Sequence, residues 1–121
     1  MAGHSTVAYT TTNTFTAAVA SATSATESAV QAPVAMPCQA ANLYVALSAA
    51  PGTNHTIVVT LRVNAADTAL ACTVAATGTT CTNLATTLNL TAGQLIDFRI
   101  VSTGNGSTAS VALGTSITCQ P

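Results

Sequence analysis

From about residue 28 onward, apolar side chains recur at every second position and β-branched residues are abundant, which is the period of a strand with one buried face. The clearest case is "HTIVVTLRVN", where Ile57, Val59, Leu61 and Val63 point one way and Thr56, Val58, Thr60 and Arg62 the other. It predicts a central strand. "NLYVAL" alternates Leu43, Val45 and Leu47 against Tyr44 and Ala46, and "LIDFRIV" buries Ile96, Phe98 and Ile100 while showing Asp97 and Arg99 on the opposite face. "TALACTVAA" and "CTNLATTLNL" predict further strands, the second of ambiguous register. "ASVALGTSITC" predicts the last, with Val111, Leu113, Ile117 and Cys119 in phase. "SAVQAPVAM" reads as an edge or bulged strand, because Pro33 and Pro37 remove ladder donors.

Turn signals separate these runs: Pro51-Gly52 in "SAAPGTN", then "NAAD", "TGTT", "TAGQ" and "STGNGST". About seven or eight short strands punctuated in this way indicate an all-β fold, an antiparallel two-sheet sandwich or jelly roll spanning residues 27–121. Residues 1–26 read as an extended N-terminal arm. Ala in "TAAVASATSATESAVQA" favours helix, but the interleaved Ser and Thr weaken it. The arm's few apolar anchors are Val7, Tyr9, Phe15 and Val19, and its expected role is contact with a neighbouring subunit or a shell, for example by adding a strand to a sheet edge.

Composition sharpens this picture. The chain of 121 residues is 49% hydrophobic, enough for the core of one domain. Its full charges are limited to two arginines and three acids: Glu27, Arg62, Asp67, Asp97 and Arg99. The surface must then be largely Thr, Ser, Asn and Ala. Such a face can be buried against another subunit without desolvating ions, a step costing several kcal/mol per ion. Two basic residues make no electrostatic footprint for phosphates, which argues against nucleic-acid binding. No run of 18 or more apolar residues predicts a membrane span, and "MAGHSTVAYTTTNTF" has neither the basic nor the apolar region of a secretory signal.

The phrases "NLYVALSAAPG", "IVVTLRVNAADTAL" and "LTAGQLIDFRIVSTG" resemble the tumour-necrosis-factor-like jelly-roll heads of collagen-like spore-surface proteins and of bacteriophage structural proteins. The likeness covers roughly residues 27 to 119. It implies a homotrimer packed around a threefold axis. No collagen-like Gly-X-Y tract precedes the head, which favours the virion member of the pair.

Four cysteines, Cys38, Cys72, Cys81 and Cys119, allow three complete pairings. Cys72 and Cys81 flank one reversal, so a bond between them would staple that hairpin. Cys38 opens one strand and Cys119 ends the last, and in a jelly roll the first and final strands commonly neighbour each other, so a Cys38–Cys119 bond would close the two ends of the domain. Intersubunit bonds through Cys38 or Cys119 are the alternative. A zinc site would bring ligands in close C-x2-C pairs, which these are not. No cofactor, metal or catalytic residue is expected. Asp97 and Arg99 share an outward face, with Arg62 on an adjacent strand; the sharper reading is a polar site, and the favoured one is a surface ion pair worth about 0 to 1 kcal/mol. The expected function is that of a non-enzymatic structural protein of a bacteriophage particle, a trimeric decoration or cement protein on the major capsid protein or other virion proteins. It would be made in the host cytoplasm and oxidised after release. The alternative is a receptor- or glycan-binding head using Tyr44, His55 and Asn105.

Overall fold

Two antiparallel sheets face each other in the computed structural model, which describes residues 2–8, 14–16, 18, 23–103 and 110–121. The strands are β1 (Ala2–Ala8), β2 (Thr14–Thr16), β3 (Thr23–Ser24), β4 (Ala32–Pro33), β5 (Cys38–Leu47), β6 (Thr56–Val63), β7 (Ala66–Val74), β8 (Thr80–Asn83), β9 (Leu88–Leu90), β10 (Leu95–Thr103) and β11 (Ser110–Gln120). One 3-10 turn, Glu27–Ala29, lies between β3 and β4. The first sheet has the order β1-β11-β5-β8, with β9 also on β5. The second has the order β3-β2-β10-β6-β7, with β4 also on β10. The expected two-sheet β-sandwich is therefore observed.

The alternation read from sequence gives the core directly. Ile57, Val59 and Leu61 of β6 and Ile96, Phe98 and Ile100 of β10 are all but inaccessible to solvent. So are Leu43 and Val45 of β5, Leu70 of β7, and Leu113 and Ile117 of β11, and these side chains form one cluster between the sheets. Burying each such side chain is worth roughly 1.5 to 3 kcal/mol.

Three local devices shape the sheets. Asn42 has φ 54° where the β5–β11 register shifts, so β5 changes phase and Ala40 joins Leu43 in the core. Asn64 and Ala65 have φ 49° and 63°, and they close a two-residue hairpin with Val63 opposite Ala66. On β7 the ladder to β6 slips between Thr60 and Arg62. The Thr68 hydroxyl patches the slip by donating to the Leu61 carbonyl at 2.7 Å and accepting from the Leu70 N–H.

The segment read as an extended arm contributes strands to both sheets of its own chain. Ala2–Ala8 pairs along β11, with Val7 opposite Val111, and Thr14–Thr16 pairs with β10, with Phe15 opposite Arg99. Its Thr-rich, β-branched composition suits a ladder as well as it suits an extended arm. Tyr9 and Val19 lie outside the described residues. "CTNLATTLNL", read as one strand, is split into β8 and β9. Asn83 makes the break, its side-chain oxygen accepting from the N–H groups of Ala85 and Thr86.

Candidate functional site

The outward positions of β6 and β10 carry Arg62 directly opposite Asp97, and the hairpin at Asn64-Ala65 folds Asp67 back beside Arg62. Arg99 lies two residues further along β10, opposite Thr60. The 3-10 turn brings Glu27 over this face. Arg62 Nε donates to Glu27 Oε1 at 2.7 Å and Nη2 to Oε2 at 3.1 Å, a fork-to-fork pair. Its Nη1 donates to Asp67 Oδ1 at 2.6 Å, and Nη2 also donates to the Ala65 carbonyl. Arg99 Nη1 lies 3.1 Å from Asp67 Oδ2, so Asp67 bridges both arginines. The Phe15 ring stands 5.6 Å from the Arg62 guanidinium carbon, within cation–π range. All five charged residues of the chain thus converge on one network.

This corrects the expectation of a surface pair between Asp97 and Arg99. Arg99 pairs with Asp67 instead. Asp97 is 0% exposed, and no group donates a hydrogen bond to either of its oxygens. The outer face of a sheet reads as solvent-facing from alternation alone, but here Asp97 has no accessible surface and Glu27 and Arg62 are its neighbours. Burial, then the neighbouring Glu27 carboxylate, pushes the Asp97 carboxyl up to about 7. Glu27 is held below the usual carboxylate range by its hydrogen bonds from Arg62, and Arg62 is raised in turn.

An acid with a raised pKa beside an ionised carboxylate is the pairing a general acid–base mechanism uses. A reacting group would still need to reach Asp97, which has no accessible surface. Hollows of about 490, 310 and 280 Å³ among the described residues are lined instead around Pro37 and Asn89, around Tyr44 and Gly114, and around Met36 and Cys119. Among the described residues, no three His, Cys, Asp or Glu side chains gather in a way that could hold a metal ion.

The cysteines pair as Cys38–Cys119 and Cys72–Cys81, with Cα–Cα distances of 5.3 and 5.8 Å. Both pairs match the expectation, with different geometry. Cys38–Cys119 ties the start of β5 to the end of β11, since β5 lies on the opposite side of β11 from β1. Cys72–Cys81 does not staple a hairpin: β7 and β8 belong to different sheets, so this bond bolts one sheet to the other. Two disulfides are compatible with an oxidising setting.

Of the residues considered for recognition, Tyr44 is 51% exposed on β5 of the first sheet. His55 precedes β6 of the second sheet, its Nδ1 at 3.2 Å from the Thr103 carbonyl, so the two are not on one surface of one sheet. Asn105 lies outside the described residues. Glu27 and Asp67 were not among the residues singled out from sequence. Asp67 had a signal, because a two-residue turn at 64–65 places 62 opposite 67. Glu27 had none, its neighbours being decided by tertiary packing. The chain matches no protein-family model, no curated protein and no solved structure.

Proposed function

We propose that the protein is a non-enzymatic structural subunit of a bacteriophage particle, a trimeric decoration or cement protein that stabilises the shell. The observation that carries this reading is the segregation of charge. All five ionic side chains are drawn into the network on the second sheet, and the strands of the first sheet contain no Asp, Glu, Lys or Arg. Exposed positions of that sheet include Tyr44, Ala46, Thr80, Thr82, Ser116 and Thr118, with Gly114 half-buried among them. A partner covering this surface removes no ion from water, so the desolvation that opposes association is small.

Further support comes from the strand order. Counting β1, β2, β5, β6, β7, β8, β10 and β11 as first to eighth, the sheets run 1-8-3-6 and 2-7-4-5. We read this order as a jelly roll. Two disulfides harden the domain, which suits a part oxidised on release from the host cell. The partners on this reading are two further copies and the major capsid protein or other virion proteins.

Sedimentation equilibrium of oxidised protein is expected to return the mass of three chains. The same protein should co-sediment with tailed-phage capsids lacking their own decoration protein. A monomer that binds no capsid overturns the proposal. The exposed Tyr44 ring beside the Gly114 hollow favours a second reading, a receptor- or glycan-binding head. Reproducible hits on a glycan array, abolished by Tyr44→Ala, would put that reading first.

A further inference from the structure

The Thr23–Pro33 segment forms a strap that sets Glu27 against the charged face. It is anchored at one end by two register pairs of β3 with β2 and at the other by two of β4 with β10. Between these anchors, Glu27 reaches the sheet through its fork on Arg62. Beneath it lies Asp97, wholly buried and without a donor.

The groups around Asp97 account for every charge nearby. From the strap comes Glu27, from β6 Arg62, from β7 Asp67, and from its own strand Arg99. Arg62 is committed to Glu27, Asp67 and the Ala65 carbonyl, and Arg99 faces Asp67. Two guanidinium groups therefore stand against three carboxyls. The network is neutral only when one carboxyl keeps its proton. An ionised Asp97 would be a buried charge with no hydrogen bond, an arrangement that proteins avoid by neutralising the group. As an acid, Asp97 can donate its O–H to the neighbouring Glu27 carboxylate, which gives the buried group a partner.

We propose that Asp97 and Glu27 share one proton, and that this proton latches the Thr23–Pro33 strap onto the second sheet. Opening the strap returns Asp97 to water, where it ionises in the ordinary range, whereas in the closed state it keeps its proton up to about pH 7. The closed state therefore binds one more proton than the open state across that interval. Opening becomes easier as pH rises from about 4 to about 7, and flat above it. Glu27 works in the opposite direction only at the acid end, where its protonation removes the fork on Arg62.

Hydrogen exchange of the whole chain, corrected for the intrinsic pH dependence of amide exchange, tests this. The amides of Ala29, Val30 and Val34 are bonded to the carbonyls of Thr26, Glu27 and Gln94 and report on the strap. Their protection is expected to fall by more than about tenfold between about pH 5 and about pH 7.5 and then level off, while amides of β5 and β6 stay protected. In Asp97→Asn, whose amide donates to Glu27 at every pH, the fall should vanish. A pH-independent strap in the parent protein, or an equal fall in the variant, overturns the proposal. Should Asp97→Asn not fold, carboxyl-carbon NMR of the parent decides: a titration of Asp97 near pH 7 supports the latch, and one near pH 4 refutes it.

Discussion

At the scale of single residues, Asp97 and Ala65 carry the clearest consequences. Asp97 is an acid whose folded-state pKa, about 7, lies above its ordinary 3.8, so the folded chain holds a proton that the unfolded chain releases. Its contribution to stability is full below about pH 4 and is lost as pH rises towards 7. Glu27, with its pKa lowered from 4.5, contributes above that value and loses its contribution as pH falls. Thermal unfolding should accordingly be highest between about pH 4 and 5 and decline towards neutrality, and calorimetry of Asp97→Asn should show that decline flattened. Ala65 occupies a left-handed conformation, φ 63°, at the second position of a turn where glycine is the usual residue. Ala65→Gly is expected to stabilise the fold by about 0.5 to 1 kcal/mol, read as a rise in the urea midpoint at constant slope.

Elements are held together by the two disulfides in different ways. Cys38–Cys119 spans 81 residues of sequence and Cys72–Cys81 spans 9. By loop-closure entropy, removing the first should cost about 4 kcal/mol and removing the second roughly 2 to 3 kcal/mol. Paired Cys→Ser variants compared by urea unfolding would show this order, and a larger loss from Cys72–Cys81 would mean that bolting β7 to β8 matters more than closing a long loop. Element identity was largely legible in the sequence, because alternation over β5, β6, β10 and β11 names the buried side chains one by one. Partnership was not. Nothing local in "AGHSTVA" or "TFT" says that β1 lies on β11 or β2 on β10, since a short Thr-rich strand of uncharged residues pairs equally well with any open edge.

For the whole molecule, the arrangement of charge has a measurable result. On the proposed trimer, association through the ion-free first sheet should be nearly independent of salt, because there are few exposed charges to screen. The assembly constant from sedimentation should change less than about twofold between about 50 and 500 mM sodium chloride. Strong weakening by salt would instead place Asp67 and Arg99, the more exposed members of the network, at the interface.

The sequence by itself determined an all-β sandwich, the side chains of its core, its turns and its scarcity of charge, for each of these follows from period-two patterning, turn chemistry or simple counting. The tertiary structure alone decided that the few charges meet. Arg62, Asp97 and Arg99 share a face by strand periodicity and Asp67 joins them by hairpin register, but Glu27 arrives from 35 positions before Arg62, brought there by tertiary packing. That packing turns an outward-facing aspartate into a buried acid with a proton to keep. Alternation says which side of a sheet a residue faces; it cannot say what lies above that side.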